Sequence, residues 1–383
     1  AARGRAVVAC IVAASAILAL AGCSQPVAAT RRTVTEAVFG TYPGRQVAGL
    51  AVSGLAADGG ELVAVGAAAG RPAVWHRRPD GTWSLISAAP ARPGLVALAG
   101  VAHGPDGWLA VGSRIPVILT SADSMSWRTA GRVTLDLGGV SSALSAAGPA
   151  GYVVIGKLVE RGGACAADIW WSPDLAAWAH AHDVNDTTGS SDVLAVAAGP
   201  HGFVSVGLHD GRPAVWTTAN GRAWTTVVLP VPPSAPGAAL QLVAVNGSRV
   251  AALGEETTAR GRVAVRPFAE FSADGGASWH LVPLSSPAPG TTVTALTAVA
   301  HGFAAVGRSG PGGRAIVVWA SADGARWVRV PAGGLTGARI AGPDGITALA
   351  ASGSTVVGIG PVSARSGRHQ AVIVTLPIRR YLH

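Results

Sequence analysis

Lysine occurs once in the 383 residues, at Lys157, and charged side chains make up only 13% of the chain. The positive charge is therefore almost all Arg. No Lys/Arg block or nucleic-acid module is found, so the formal net charge of +9 favours solubility and weak attraction to anionic surfaces, without a nucleic-acid partner. Cysteine is nearly as scarce, with Cys10, Cys23 and Cys165 only. Tyr appears three times, at 42, 152 and 381. No phosphate-cradling Gly loop or Ser nucleophile elbow stands out, because 52 Gly residues make any single match uninformative. No cofactor and no metal set is expected.

Gly and Pro together fill about a fifth of the chain, beside abundant Val and Ala, a composition suited to many short strands joined by tight turns. Seven times from about residue 47 onward the chain spells an apolar run, a Gly-centred turn, a second apolar run closing on Gly, and a third run. The closing Gly falls at Gly66, Gly112, Gly156, Gly207, Gly254, Gly307 and Gly360, at spacings of 46, 44, 51, 47, 53 and 53 residues. Several strands per period of that length predict the blades of a β-propeller. The expected fold is all-β, a seven-bladed propeller of four-stranded antiparallel blades in one domain over 47–383.

Turns such as Gly104-Pro105-Asp106-Gly107 and Gly199-Pro200-His201-Gly202 separate the first strand from the second. There Pro presets φ and Gly supplies a positive one. The third strand ends on Trp75, Leu119, Trp170, Trp216, Phe271 or Trp319, and eight residues later, in six blades, comes Trp83, Trp127, Trp178, Trp224, Trp279 or Trp327. With Trp108, these positions account for every Trp except Trp171, so Trp is expected to pack blades together. The seventh repeat lacks a fourth strand, and the alternating segment Thr33 to Phe39 is expected to supply it, removing an open edge.

The turn before that last Trp reads Ser121-Ala122-Asp123, Ser172-Pro173-Asp174, Thr218-Ala219-Asn220-Gly221, Ser272-Ala273-Asp274-Gly275-Gly276 and Ser321-Ala322-Asp323-Gly324, with a shortened form at Asp80-Gly81-Thr82-Trp83. This pattern resembles the Asp-box, or bacterial neuraminidase repeat, of sialidases, sortilin-type receptors and photosystem assembly factors. Ser124 and Leu175 stand where the motif has Gly. In that family the box is structural, which assigns Asp80, Asp123, Asp174, Asn220, Asp274 and Asp323 to turn-building.

Arg3 and Arg5 precede the apolar stretch Ala6 to Ala21, and Leu20-Ala21-Gly22-Cys23 follows. That is the anatomy of a secretory signal over 1–22. Its ending resembles the bacterial lipobox, which implies acylation of Cys23 and anchoring to the outer face of a bacterial cytoplasmic membrane. The tether and the closing strand are expected over 23–46, the bias to Arg, Ala, Gly and Pro points to GC-rich coding, and a monomer is expected. Removal of the signal leaves about +7 and Cys165 as the remaining thiol, so no intramolecular disulfide is expected.

Ligands are expected on the face opposite the Asp-box turns. Its second-to-third-strand loops carry Arg71, Arg114, Arg212, Arg262, Arg314 and Arg368, a rim able to take oxyanions, although Gly-Arg-Pro also reads as a solvated hairpin. The carboxylates there, Glu160, Asp168, Asp183, Asp186, Asp192, Asp210, Glu255 and Glu256, are expected to be solvated loop charges. Arg114-Ile115-Pro116 resembles the arginine motif of sialidases, yet Arg71-Pro72-Ala73 and Arg212-Pro213-Ala214 share its repeat position. Sialidase chemistry would also need a Tyr nucleophile, and Tyr152 opens a second strand on the wrong face. The leading expectation is a noncatalytic module binding a protein or glycan polymer. A sialidase-like glycoside hydrolase and an assembly factor for a membrane complex are the alternatives.

Overall fold

The computed structural model describes residues 41–42, 45–46, 51–78, 83–86, 97–112, 117–130, 140–159, 165–181, 190–232, 235, 237–258, 264–284, 288–310, 313, 315–331, 345–352, 355–363, 369–376, 378 and 381–382. Cys23, the segment Thr33 to Phe39, Asp80, Arg114, Arg262, Arg314 and Arg368 lie outside the described residues.

Six antiparallel four-stranded sheets, at 51–86, 98–129, 140–180, 191–228, 237–282 and 292–330, each run in sequence order from innermost to outermost strand. These are blades one to six of a β-propeller. Seven four-stranded blades were expected. Among the described residues six are complete, and the seventh repeat forms a three-stranded sheet of Ala348–Ser352, Thr355–Ser363 and His369–Leu376. A short hairpin, Thr41–Tyr42 with Arg45–Gln46, forms a two-stranded sheet of its own.

Second strands such as Glu61–Ala68 and Gly107–Gly112 read as unbroken apolar runs because a neighbouring blade covers each face. Every seam between sheets has its own apolar cluster. Blade six meets the three-stranded sheet through Val306, Val318, Ile346, Leu349 and Leu376. That sheet meets blade one through Val357, Ile359, Leu62 and Trp75, so the ring closes by packing. Trp108, Trp216 and Trp319 are at most 1% exposed. The Trp residues that open fourth strands lie nearer the rim, half-buried except for Trp327.

The periodic Gly has a specific cause. In blades one to six the innermost strand carries a bulge near its loop-face end, for example between Val52 and Gly54 and between Val293 and Thr294's neighbour Ala295. The bulge thrusts a carbonyl oxygen, from Ala51, Asp192, Ala239 or Thr292, into the space a Cβ on Gly66, Gly207, Gly254 or Gly307 would fill. Only Gly fits.

One register assignment needs correcting. Trp216 lies opposite Ser205 and Trp319 opposite Ala305, but the equivalent residue of blade five, opposite Ala252, is Glu270 and not Phe271. Phe268, two residues earlier on the same strand face, turns its ring onto Gly254, as Trp319 does onto Gly307.

Candidate functional site

The propeller offers two faces, and their polar groups are used differently. One face carries the turns between third and fourth strands. The carboxylate of Asp123 accepts from the backbone N–H groups of Met125 and Ser126 at 3.0 and 2.7 Å and from the hydroxyl of Ser121 at 3.0 Å. Asp174, Asn220, Asp274 and Asp323 repeat the pattern. These backbone N–H groups hold the Asp123 carboxyl down at about 2, and side-chain and backbone donors lower Asp174 and Asp274 likewise.

The Trp that follows seals each turn by donating its indole N–H to the carbonyl three residues back, as in Trp127 to Ser124, Trp279 to Gly276 and Trp327 to Gly324 at 2.8, 2.8 and 2.9 Å. Ser124 and Leu175 hold φ of 59° and 63°, the left-handed geometry Gly221, Gly276 and Gly324 adopt elsewhere. Trp171, the one indole outside the repeat positions, donates to Ala150 O at 3.1 Å and lies 4.2 Å beneath the Arg222 guanidinium of the next blade.

On the opposite face, Arg71 and Arg212 are exposed and open their third strands. The hairpins before them are two-residue turns, Ala69-Gly70 and Asp210-Gly211, with both residues at positive φ. That geometry marks a tight hairpin of the primed kind. The two arginines belong to blades one and four, so the described part of the rim does not converge.

Several carboxylates expected to be solvated are instead buried. Asp192 is 7% exposed and pairs with Lys157, the sole lysine, at 2.6 Å across the seam between blades three and four. Glu255 accepts from the N–H of Val293 in blade six at 3.0 Å; burial pushes its carboxyl up, opposed by that N–H, by Gln241 and by the charge of Arg308. Glu256 is buried as well, and Asp168 accepts from Trp170 Nε1 and pairs with His180. Asp210 does stay largely exposed.

Lys157, Glu255 and Arg308 share one repeat position, the residue after the periodic Gly, and each reaches toward the innermost strand of the next sheet. Their common place in the repeat was available from the spacing. It becomes visible only once the bulge fixes where that position points. Cys165, the remaining thiol, opens a third strand: Gly151–Val159 pairs with Cys165–Ser172, and Cys165 lies opposite Val159.

Tyr152 is fully buried in the seam between blades two and three. Its hydroxyl accepts from Asp106 N–H at 2.7 Å and donates to Gly107 O at 3.1 Å, and burial raises it to about 12. A phenol so placed braces a turn. Glu270, 3% exposed, is raised to about 7 by burial. A cleft of about 250 Å³ opens between blades four and five on the polar-turn face, lined by His201, Phe203, Thr217, Val245, Asp274 and Gly275 among others.

No family model matches the chain, and no curated protein sequence matches it. Among solved structures, YCF48 bound to D1 peptide is 14% identical with a TM-score of 0.55, covering 91% of this chain and 98% of that one. YCF48 from Cyanidioschyzon merolae is 13% identical with a TM-score of 0.50, over 89% and 98%. The Penicillium chrysogenum alpha-L-arabinanase complexed with arabinobiose is 13% identical with a TM-score of 0.42, over 71% and 92%. This likeness shows the fold alone.

Proposed function

We propose that this protein is a noncatalytic binding module, anchored through a lipid on Cys23 to the outer face of a bacterial cytoplasmic membrane, that takes a protein ligand on the face opposite the polar turns. The turns act as Asp-box repeats. The segment Thr33 to Phe39 supplies the fourth strand of the seventh blade, and Arg71, Arg114, Arg212, Arg262, Arg314 and Arg368 form the outer rim.

One observation carries the reading. Among the described residues, two loop-face carboxylates and the one tyrosine on a blade are committed to the scaffold: Asp192 to Lys157, Glu255 to Val293 N–H, and Tyr152 to the Asp106–Gly107 turn. Asp210 stays exposed, and Glu160, Asp183 and Asp186 lie outside the described residues. A rigid ring whose acids brace its own seams suits recognition better than proton transfer. YCF48, a propeller of similar extent, is recorded with a peptide, which supports a protein over a polymer as the ligand.

Crosslinking of the full chain in intact membranes, followed by co-purification, should recover one protein partner. Substitution Cys23→Ala should move the chain from membrane to soluble fractions. Hydrolysis of a fluorogenic sialoside or another member of a glycan panel, lost on Arg114→Ala, would overturn the reading in favour of a glycoside hydrolase.

A further inference from the structure

Arg308 differs from the other two residues that follow a periodic Gly. Lys157 and Glu255 each have a bonded partner; the charge of Arg308 acts on Glu255 across the seam, but its Nε is buried without a hydrogen bond among the described residues. Directly opposite it on the adjacent strand stands Thr292, whose Oγ1 is likewise buried without a partner. Residues so paired project to the same side of a sheet. The Nε–H of Arg308 and the hydroxyl of Thr292 therefore lie on one side of the sheet, both buried and without a partner among the described residues.

The side chain is held in a cradle of glycines. A Cβ on Gly345 would come within 2.8 Å of Arg308 Cδ and 2.9 Å of its Cγ, and one on Gly313 would come within 3.5 Å of Nη1. Gly345, at φ of 60°, precedes the innermost strand of the three-stranded sheet. The stem of Arg308 is thus packed into the seam while the residue as a whole remains half-buried. A stem packed in this way leaves less of the side chain to be ordered on binding, which lowers the cost of recognition.

We propose that the loop-face mouth of the seam between blade six and the three-stranded sheet is an oxyanion site, in which the Arg308 guanidinium and the Thr292 hydroxyl receive a carboxylate or sulfate group of the ligand. Two oxygens of such a group match the parallel N–H bonds of a guanidinium. Glu255, whose carboxyl the charge of Arg308 reaches across one seam, should compete with an incoming anion for that charge. The site deepens the binding reading, since it lies on the proposed ligand face and names the chemistry recognised there.

The test titrates the purified full chain, labelled with nitrogen-15 at arginine, with glucuronate in one arm and inorganic sulfate in the other. The Nε–H resonance of Arg308, assigned by its disappearance in Arg308→Lys, should shift with at least one of the two anions, and the responding arm identifies carboxylate or sulfate as the group. Arg308→Gln should weaken that binding by roughly ten- to a hundredfold, the loss expected for a hydrogen bond to a charged group. Glu255→Gln, which retains an acceptor for Val293 N–H, should tighten it severalfold. A resonance that moves with neither anion overturns the proposal without any variant, as does unchanged affinity in a folded Arg308→Gln protein. Recovery of a protein partner alongside a silent Arg308 would sink this site while sparing the wider function.

Discussion

In blade six the residue opposite Ala305 is Trp319; in blade five the residue opposite Ala252 is Glu270. Both positions are buried, and in both blades an aromatic ring covers the periodic Gly. Blade five achieves this with Phe268, from two residues earlier on the same face, and leaves a carboxyl where the indole would lie. What the seam requires is therefore ring volume against Gly254 or Gly307. The identity of a single repeat position is secondary.

Trp319→Ala breaks the comparison most severely. It empties the seam between blades five and six, where Trp319 packs with Leu253, Phe303 and Trp327, and should cost about 3–5 kcal/mol in chemical denaturation. Glu270→Gln sharpens it. Burial raises this carboxyl from 4.5 to about 7, so between those values the unfolded chain has already lost its proton while the folded one keeps it. Stability should then fall as pH rises from about 4.5 to 7 and level off above. The slope should disappear in the Gln variant, with a gain of about 1–2 kcal/mol near pH 8 once solvent screening is allowed for.

The smallest effect is expected at the polar turns. Asp123→Ala frees two backbone N–H groups that water can satisfy, and should cost about 1 kcal/mol by analogy with loss of a helix cap. For the wild-type turn the sign is opposite to that of Glu270. The Asp123 carboxyl is depressed to about 2, so its contribution is present above 3.8 and is lost as pH falls toward 2. Thermal melts of both variants across pH 2–8 separate the two behaviours.

The propeller was legible because its determinants recur. Gly66, Gly207 and Gly307 repeat at one period, and each answers to a carbonyl that occupies the space of its Cβ. The polar turns were legible for a similar reason, since Ser and Asp bond each other and the turn's backbone while the Trp donates to a carbonyl of the same turn, all within seven or eight residues. The candidate site was not. Asp192 and Glu255 looked like loop charges because their partners, Lys157 and Val293, lie 35 and 38 residues away across a seam. Arg308 carried no motif, and only the register opposite Thr292 and the nearness of Gly345 distinguish it from the other arginines. Glu270 was passed over because the chain places Phe271 beside it, and one residue of register decides which of the two faces inward.

The polar turns also bear on how this ring assembles. Each closes with bonds spanning two to four residues and needs nothing from a neighbouring blade to hold its shape, as at Ser272, Asp274 and Ser278. Contacts so close in sequence form quickly, so nascent hairpins can set at several corners independently while the chain is still open. The seam joining Leu62 and Trp75 to Val357 and Ile359 spans nearly the whole chain and must wait until every blade has taken its place. Closure of that seam should thus be the slow step of refolding, with the unclosed ring as the species most exposed to aggregation.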